Sequence, residues 1–83
     1  MDSKFFKNMI SMKHYSVVIS LFRQMLKLGI QIDGVILTSV INSYCMMHRA
    51  DCGFWVLSIY LKSGFAFDVV IFTTLIRGFF AEN

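Results

Sequence analysis

The sequence predicts an all-α fold, an α-solenoid in which about five helices stack as helical hairpins. Three observations support this prediction. None of the 83 residues is proline, a residue that breaks the interior of a helix. The apolar side chains recur at helical spacing, and one segment repeats 35 residues later. A single helical hairpin cannot bury its apolar faces, so repeated hairpins must stack on one another.

The internal repeat is clearest between residues 26–41, LKLGIQIDGVILTSVI, and residues 61–76, LKSGFAFDVVIFTTLI. Eight of these 16 positions are identical, and several others exchange one apolar residue for another. Similarity at a fixed period of 35 residues is the mark of a repeat architecture. The repeat therefore decides the predicted architecture.

The 35-residue period also divides the chain. Residues 1–33 form a first repeat, which is partial at its start, and residues 34–68 form a complete repeat. Residues 69–83 supply the first helix of a third repeat. We therefore predict a single repeat array over residues 1–83, without a linker.

The predicted helices follow the apolar spacing in chain order. Val18, Leu21, Phe22 and Met25 fall at i, i+3, i+4 and i+7, which is the pattern of an amphipathic helix. The same spacing, followed along the chain, predicts helices at 3–12, 16–28, 36–47, 51–62 and 69–80.

Local signals mark the ends of these helices. Ser16 and Asp51 lie 35 residues apart, and each has a side-chain oxygen that suits an N-cap. Gly29 and Gly64 follow the second and fourth predicted helices and suit a left-handed C-cap. Each repeat is thus predicted to be a helical hairpin followed by a loop.

Composition excludes several classes of protein. Apolar residues make up 57% of the chain and charged residues 16%, which excludes intrinsic disorder. Two cysteines are too few for a disulfide scaffold. The longest uncharged stretch has 15 residues, from 34 to 48, and includes polar side chains. A transmembrane helix needs about 18 or more apolar residues, so we predict no membrane span.

The charged and reactive side chains do not suggest an enzyme. Glu82 is the only glutamate, and His14 lies 34 residues from His48. Cys45, His48 and Cys52, with His14, are the only candidates for a zinc site that needs four ligands. Because the cysteines occupy core or near-core positions, we predict no metal site, and free thiols in a reducing compartment. The sequence shows no catalytic arrangement, so we also predict no cofactor and no catalysis. The net charge of +3 permits an anionic partner without requiring one.

The repeated residues resemble pentatricopeptide repeats. The resemblance rests on the helix-ending Lys-(Leu/Ser)-Gly, the closing Asp and the following Val-Ile-x-Thr-x-(Val/Leu)-Ile. The stretch MKHYSVVISLFRQM is similar to plant members related to fertility restorers. Tetratricopeptide repeats have a period of about 34 residues and a Trp, Leu-Gly, Tyr and Pro pattern that this chain lacks. Family members usually have proline before the closing acidic residue, where this chain has Ile32 and Phe67.

The resemblance implies a mechanism, in which each repeat reads about one base of single-stranded RNA. It assigns base reading to a small polar residue in the first helix and to the last residue of the repeat. These residues pair as Ser3 with Asp33 and as Thr38 with Asp68, while Thr73 begins a third pair. A hydroxyl paired with Asp implies a preference for guanine. Without the repeat, each threonine could simply be exposed, and each aspartate could simply cap the next helix.

The resemblance also assigns apolar base-sandwiching positions and a cellular role. Val35 and Val70 match the positions that sandwich bases. The family implies transcript processing in plant mitochondria, or alternatively in plastids, although the chain shows no clear transit peptide. Two other functions stay open. The chain could be a helical-hairpin module that binds another protein, or a truncated remnant without activity of its own.

Two further expectations follow from the helix phase. Trp55 lies 35 residues after Ser20, on the polar side of its helix, so it should be more exposed than Phe54 or Leu57. The apolar residues of the last predicted helix need a further helix to cover them. We therefore expect self-association through the uncovered end of the solenoid. The apolar residues at this end are Phe72, Leu75, Ile76, Phe79 and Phe80.

Overall fold

The structure is a computed structural model that describes residues 14–82, and the side chains as far as residue 81. The described part of the chain is helical and contains no strand. Its four helices are α1 (Tyr15–Leu28), α2 (Gly34–Met46), α3 (Ala50–Lys62) and α4 (Val69–Glu82). The all-α prediction is confirmed, and these helices match the last four predicted ones closely. The helix predicted at 3–12 lies outside the described residues.

The predicted left-handed glycines are confirmed. Gly29 follows α1 with φ of 69°, and its N–H donates to the carbonyl oxygen of Leu26 at 3.2 Å. Gly64 lies two residues beyond α3 with φ of 93°. A side chain is strained at such φ values, because Cβ crowds the following carbonyl. Both glycines therefore allow the chain to leave its helix sharply after the same sequence signal.

The two predicted N-caps are wrong. The residue before α1 is His14 and the residue before α3 is Arg49, and neither accepts a capping hydrogen bond with its side chain. Ser16 and Asp51 lie inside the first turns of these helices. Asp51 stays favourable there, because a negative charge stabilises the N-terminal end of the helix dipole. Helical residues at 15 and 50 simply extend each helix toward its N-terminus.

Helix α2 is the centre of the fold. It packs against α1, α3 and α4, and α3 also packs against α4. Seven of its 13 residues are buried, and they include two serines. The Ser43 hydroxyl donates to the carbonyl oxygen of Ser39 at 2.9 Å, which satisfies it in the core. Burial of this one helix on several sides therefore fixes the arrangement of its neighbours.

The predicted exposure of Trp55 is confirmed. Its side chain is 45% exposed, whereas Leu57 is 5% exposed and Phe54 is half-buried. Trp55 of α3 meets Phe22 of α1 edge to face, with ring centroids 6.0 Å apart. The predicted phase of α3 is therefore correct. Among residues 14–82, no helix is both long enough and apolar enough to cross a membrane.

Candidate functional site

The predicted base-reading residues lie at the start of α2 and α4. Asp33 is the residue before α2, and Thr38 lies on its second turn. Asp68 and Thr73 take the same positions relative to α4, because the repeat is preserved in the structure of both helices. Ser3 lies outside the described residues.

A groove between α2 and α4 brings two of the predicted residues together. It has a volume of about 160 Å³ and opens to solvent. Thr38, a predicted reader, lies on one wall, and Val70, a predicted base-sandwiching residue of the next repeat, lies on the other. Asp33, Asp68 and Thr73 do not line it. The complete lining consists of Thr38, Ile41, Asn42, Val70, Ile71 and Thr74.

Both aspartates form N-caps. Oδ1 of Asp33 accepts a hydrogen bond from the backbone N–H of Ile36 at 2.8 Å. Oδ1 of Asp68 accepts from the N–H of Val70 at 2.8 Å and from that of Ile71 at 3.4 Å. The capping role considered for these residues is therefore real, and it engages one carboxylate oxygen of each. A ligand would meet the other oxygen, which can only accept.

The hydroxyls of the groove donate to the backbone. Thr38 Oγ1 donates to the carbonyl oxygen of Val35 at 2.9 Å, and Thr74 Oγ1 donates to that of Val70 at 2.8 Å. A hydroxyl has a single proton and two lone pairs. In this arrangement, both oxygens can therefore offer only acceptor positions to a ligand. Thr73 is exposed, and its side chain makes no hydrogen bond within the described residues.

The two predicted base-sandwiching valines are exposed. Val35 is 39% exposed and Val70 is 73% exposed, although both are branched apolar residues on the first turn of a helix. Burying such a side chain against a flat aromatic base would release water from both surfaces. Their exposure leaves both side chains accessible to a ligand. Val70 also lines the groove.

The lining of the groove is uncharged, although Arg77 lies three residues after the lining Thr74 on α4. Arg23 of α1 donates to the Tyr44 hydroxyl of α2 at 3.3 Å, and this hydrogen bond raises the pKa of the Arg23 guanidinium. Arg49 donates to Asp51 at 3.2 Å in an exposed ion pair. Its hydrogen bond lowers the pKa of the Asp51 carboxyl. Attraction of an anion by these groups would be long-range and sensitive to salt.

The cysteine and histidine candidates do not form a metal centre in residues 14–81. No group of three or more His, Cys, Asp or Glu side chains comes together there. Cys45 and Cys52 are half-buried and form no disulfide within the described residues, and Arg49 Nη2 donates to Cys52 Sγ at 3.4 Å. His48 lies in the turn after α2 with φ of 58°.

A larger cavity involves Leu37 of α2. Its volume is about 390 Å³, and it lies between the loop after α1 and the end of α3. Ile30, Ile32 and Phe65 supply apolar side chains to it, while Gln31 and Ser63 supply polar ones. None of the predicted site residues lines this cavity, so the candidate site remains the groove between α2 and α4.

Sequence reasoning missed two polar residues of the groove. Asn42 follows Thr38 by four positions on α2, and Thr74 follows Val70 by four positions on α4. Side chains at i and i+4 share a helix face. The spacing from the predicted residues could therefore have identified both, once the packing of α2 against α4 was known.

Comparison with known proteins adds no family assignment. No family model matches the chain, and no curated protein matches it either. The resemblance to pentatricopeptide repeats therefore rests on the repeated residues themselves.

Proposed function

We propose that the chain is a single-stranded RNA-binding module of the pentatricopeptide type, in which each repeat reads about one base. One observation carries this proposal. Thr38 of one repeat and Val70 of the next line the same groove between α2 and α4. The resemblance names these two positions independently, as a base reader and as a base-sandwiching residue. Reading a base between adjacent repeats requires that a reader of one repeat and a base-sandwiching residue of the next lie close together, as Thr38 and Val70 do.

The packing of equivalent helices supports a solenoid. Helices α2 and α4 are 35 residues apart in register and contact each other directly. Helices α1 and α3 are equivalent in the same way, and they meet through Phe22 and Trp55. Like helices stack on like helices in such repeats, so that each repeat contacts its neighbours. We propose that further repeats would add helices beside α3 and beside α4 in the same way.

The groove favours guanine on chemical grounds. Thr38 offers an acceptor inside the groove, and the outer oxygen of Asp68 offers another outside its lining, two residues before Val70. Both favour a base edge that carries donors. Guanine presents two such donors side by side, its ring N1–H and its exocyclic amine, whereas adenine has an acceptor at N1 beside its amine. Val35 and Val70 would hold the faces of the ring. In this proposal the module acts in organelle transcript processing, in mitochondria or alternatively in plastids, without a catalytic step of its own.

The proposal predicts weak binding. Two repeats would read about two bases, and stacking contacts contribute roughly 1–3 kcal/mol per base. The resulting dissociation constants lie between roughly tens of millimolar and tens of micromolar. Titration of ¹⁵N-labelled protein with the RNA tetramers AGGA and AAAA, followed by NMR, measures affinities in this range. AGGA should bind more tightly than AAAA.

Substitution of Thr38 tests the proposed reader. Thr38→Asn replaces a hydroxyl with an amide at the groove and should reduce the preference for AGGA. Ser20→Asn makes the same chemical change on an exposed position of α1, and it should leave the preference unchanged. Asp68→Asn keeps an effective N-cap while it removes the charged acceptor. An unchanged preference in both Thr38→Asn and Asp68→Asn would refute these two residues as readers.

A second candidate function is self-association through α4. Val69, Phe72, Ile76 and Phe79 fall at i, i+3, i+7 and i+10, the spacing of a helix-packing seam. Val69 is 67% exposed, Phe72 38% and Phe79 43%. The chain covers the equivalent face of α2 with its own helices. We propose that a second copy of the chain supplies a helix of the same kind to α4.

Sedimentation equilibrium tests this second candidate. Val69→Lys, at a seam side chain that is 67% exposed on α4, should shift the chain toward monomer. Leu28→Lys changes a side chain that is 72% exposed at the end of α1, and it is the matched control. A monomeric wild type at high concentration would refute self-association. A chain that neither binds RNA nor self-associates would match the remnant alternative.

A further inference from the structure

Among the residues that line the groove between α2 and α4, Asn42 has side-chain donors that make no hydrogen bond within the described part of the chain. Of its three polar residues, Thr38 and Thr74 donate their hydroxyl protons to backbone carbonyl oxygens. Asn42 is exposed, and its side-chain amide makes no hydrogen bond within residues 14–81. The amide carries two N–H donors and a carbonyl acceptor. A ligand in the groove would therefore find acceptors on the two threonines and free donors on Asn42.

The repeat places a second donor at the equivalent position. Arg77 lies 35 residues after Asn42 and four after Thr73, just as Asn42 lies four after Thr38. Arg77 is exposed, and its guanidinium makes no hydrogen bond or ion pair within the described part of the chain. Asn and Arg differ in size and charge but share N–H donors. Each helix thus carries a threonine hydroxyl, which can accept a hydrogen bond, and a donor side chain one turn later. These are Thr38 and Asn42 on α2, and Thr73 and Arg77 on α4.

We propose that Asn42 is a specificity-determining contact of the groove, where its amide donates to the carbonyl oxygen of the bound base. This inference rests on the RNA-binding function proposed above and adds a residue to it. Guanine carries the O6 acceptor beside N–H donors. Its donors match the acceptor position of Thr38 in the groove, and its O6 matches Asn42. Adenine has an amine in place of O6, so its edge places a donor opposite the amide donors.

The test uses the same 83-residue chain and the same two tetramers. Asn42→Leu keeps the approximate shape of the side chain and removes its donors. The ratio of dissociation constants for AAAA and AGGA should fall by roughly 2- to 10-fold, the effect of one hydrogen bond. Gln24→Met removes an exposed amide from α1, outside the groove, and should keep the wild-type ratio. Asn42→Asp, which keeps the shape and removes the donors, should lower the ratio as well.

A direct readout accompanies the affinities. The side-chain NH₂ resonances of Asn42 should shift when AGGA is added, and shift less with AAAA. A wild-type chain that prefers AGGA, together with an Asn42→Leu variant that keeps that preference, would overturn the role of Asn42 and leave the proposed function intact. A wild-type chain that binds neither tetramer would overturn both. Circular dichroism checks that each variant stays helical.

Discussion

Helices α2 and α4 carry nearly the same pattern in two different surroundings. On α2, the side chains of Leu37 and Val40 are fully buried and Tyr44 is 4% exposed. On α4, Leu75 is fully buried like its equivalent Val40, but Phe72 is 38% exposed and Phe79 is 43% exposed. Helix α2 has α1, α3 and α4 around it, whereas α4 contacts only α2 and α3 within the described residues. Burial therefore follows from the number of neighbouring helices, and the pattern alone does not determine it.

The same comparison shows what is independent of the neighbours. Both helices begin after an aspartate whose Oδ1 accepts from the first turn. Both follow a glycine in the left-handed region, Gly29 or Gly64. Local interactions of this kind depend on a few adjacent residues, so they repeat with the sequence. Packing depends on residues far away in the chain, so it differs between the two helices.

The largest expected difference between the helices concerns their equivalent apolar residues. Leu37→Ala empties a fully buried site and should lower the free energy of unfolding by about 2–5 kcal/mol. Phe72→Ala should cost less than about 2 kcal/mol, although it removes more atoms, because its ring is only partly removed from water. Urea denaturation followed by circular dichroism measures both. A larger loss for Phe72→Ala would show that α4 is covered in solution.

A second pair of variants tests how α3 and α4 approach each other. Gly53 lies in α3, and a Cβ there would overlap Cδ2 of the buried Leu75 on α4. Gly53→Ala should therefore lower the free energy of unfolding by about 1–3 kcal/mol. A Cβ at Gly78 would instead make an ordinary contact with Ala50, at 3.7 Å. Gly78→Ala should raise stability by up to about 1 kcal/mol, because alanine favours a helix.

The equivalent residues on α1 and α2 differ in size from Gly53 and Leu75. Val18 and Val40 occupy the positions 35 residues before Gly53 and Leu75. Val18 and Val40 are equal in size, whereas Gly53 and Leu75 combine the smallest residue with a larger one. Leu75→Val should therefore relieve much of the cost of Gly53→Ala. Additive effects in the double variant would contradict a direct clash, because residues in contact are coupled.

Much of the fold could be predicted from local signals. Apolar spacing located each described helix, and the period of the repeat placed Trp55 on the exposed side of α3. The capping residues of α1 and α3 were predicted wrongly, although their starts were missed by one residue only. Ser16 and Asp51 are good capping residues, but helix formation extends past them to Tyr15 and Ala50. A capping signal shows only that a helix can begin there.

The candidate site was predictable only in part, for a physical reason. The repeat singled out Thr38 and Val70, and these do meet in one groove. The place of Asn42 in the groove depends on the packing of α2 against α4, which the sequence does not show. The hydrogen bonds of Thr38 and Asp68 were also hidden, because a sequence does not show which partner a polar group selects. Packing and partner choice are properties of the folded chain.

The smallest expected effect tests whether the caps are as local as they appear. Asp33→Ala and Asp68→Ala each remove a side chain that accepts from the first turn of its helix. Each should lower the free energy of unfolding by about 1 kcal/mol. The two losses should agree within about 0.5 kcal/mol, although α2 is well covered and α4 is not. Asp33→Asn and Asp68→Asn should restore most of the stability, because asparagine caps a helix about as well as aspartate. A loss confined to Asp33→Ala would show that the cap of α4 contributes nothing until a further helix covers it.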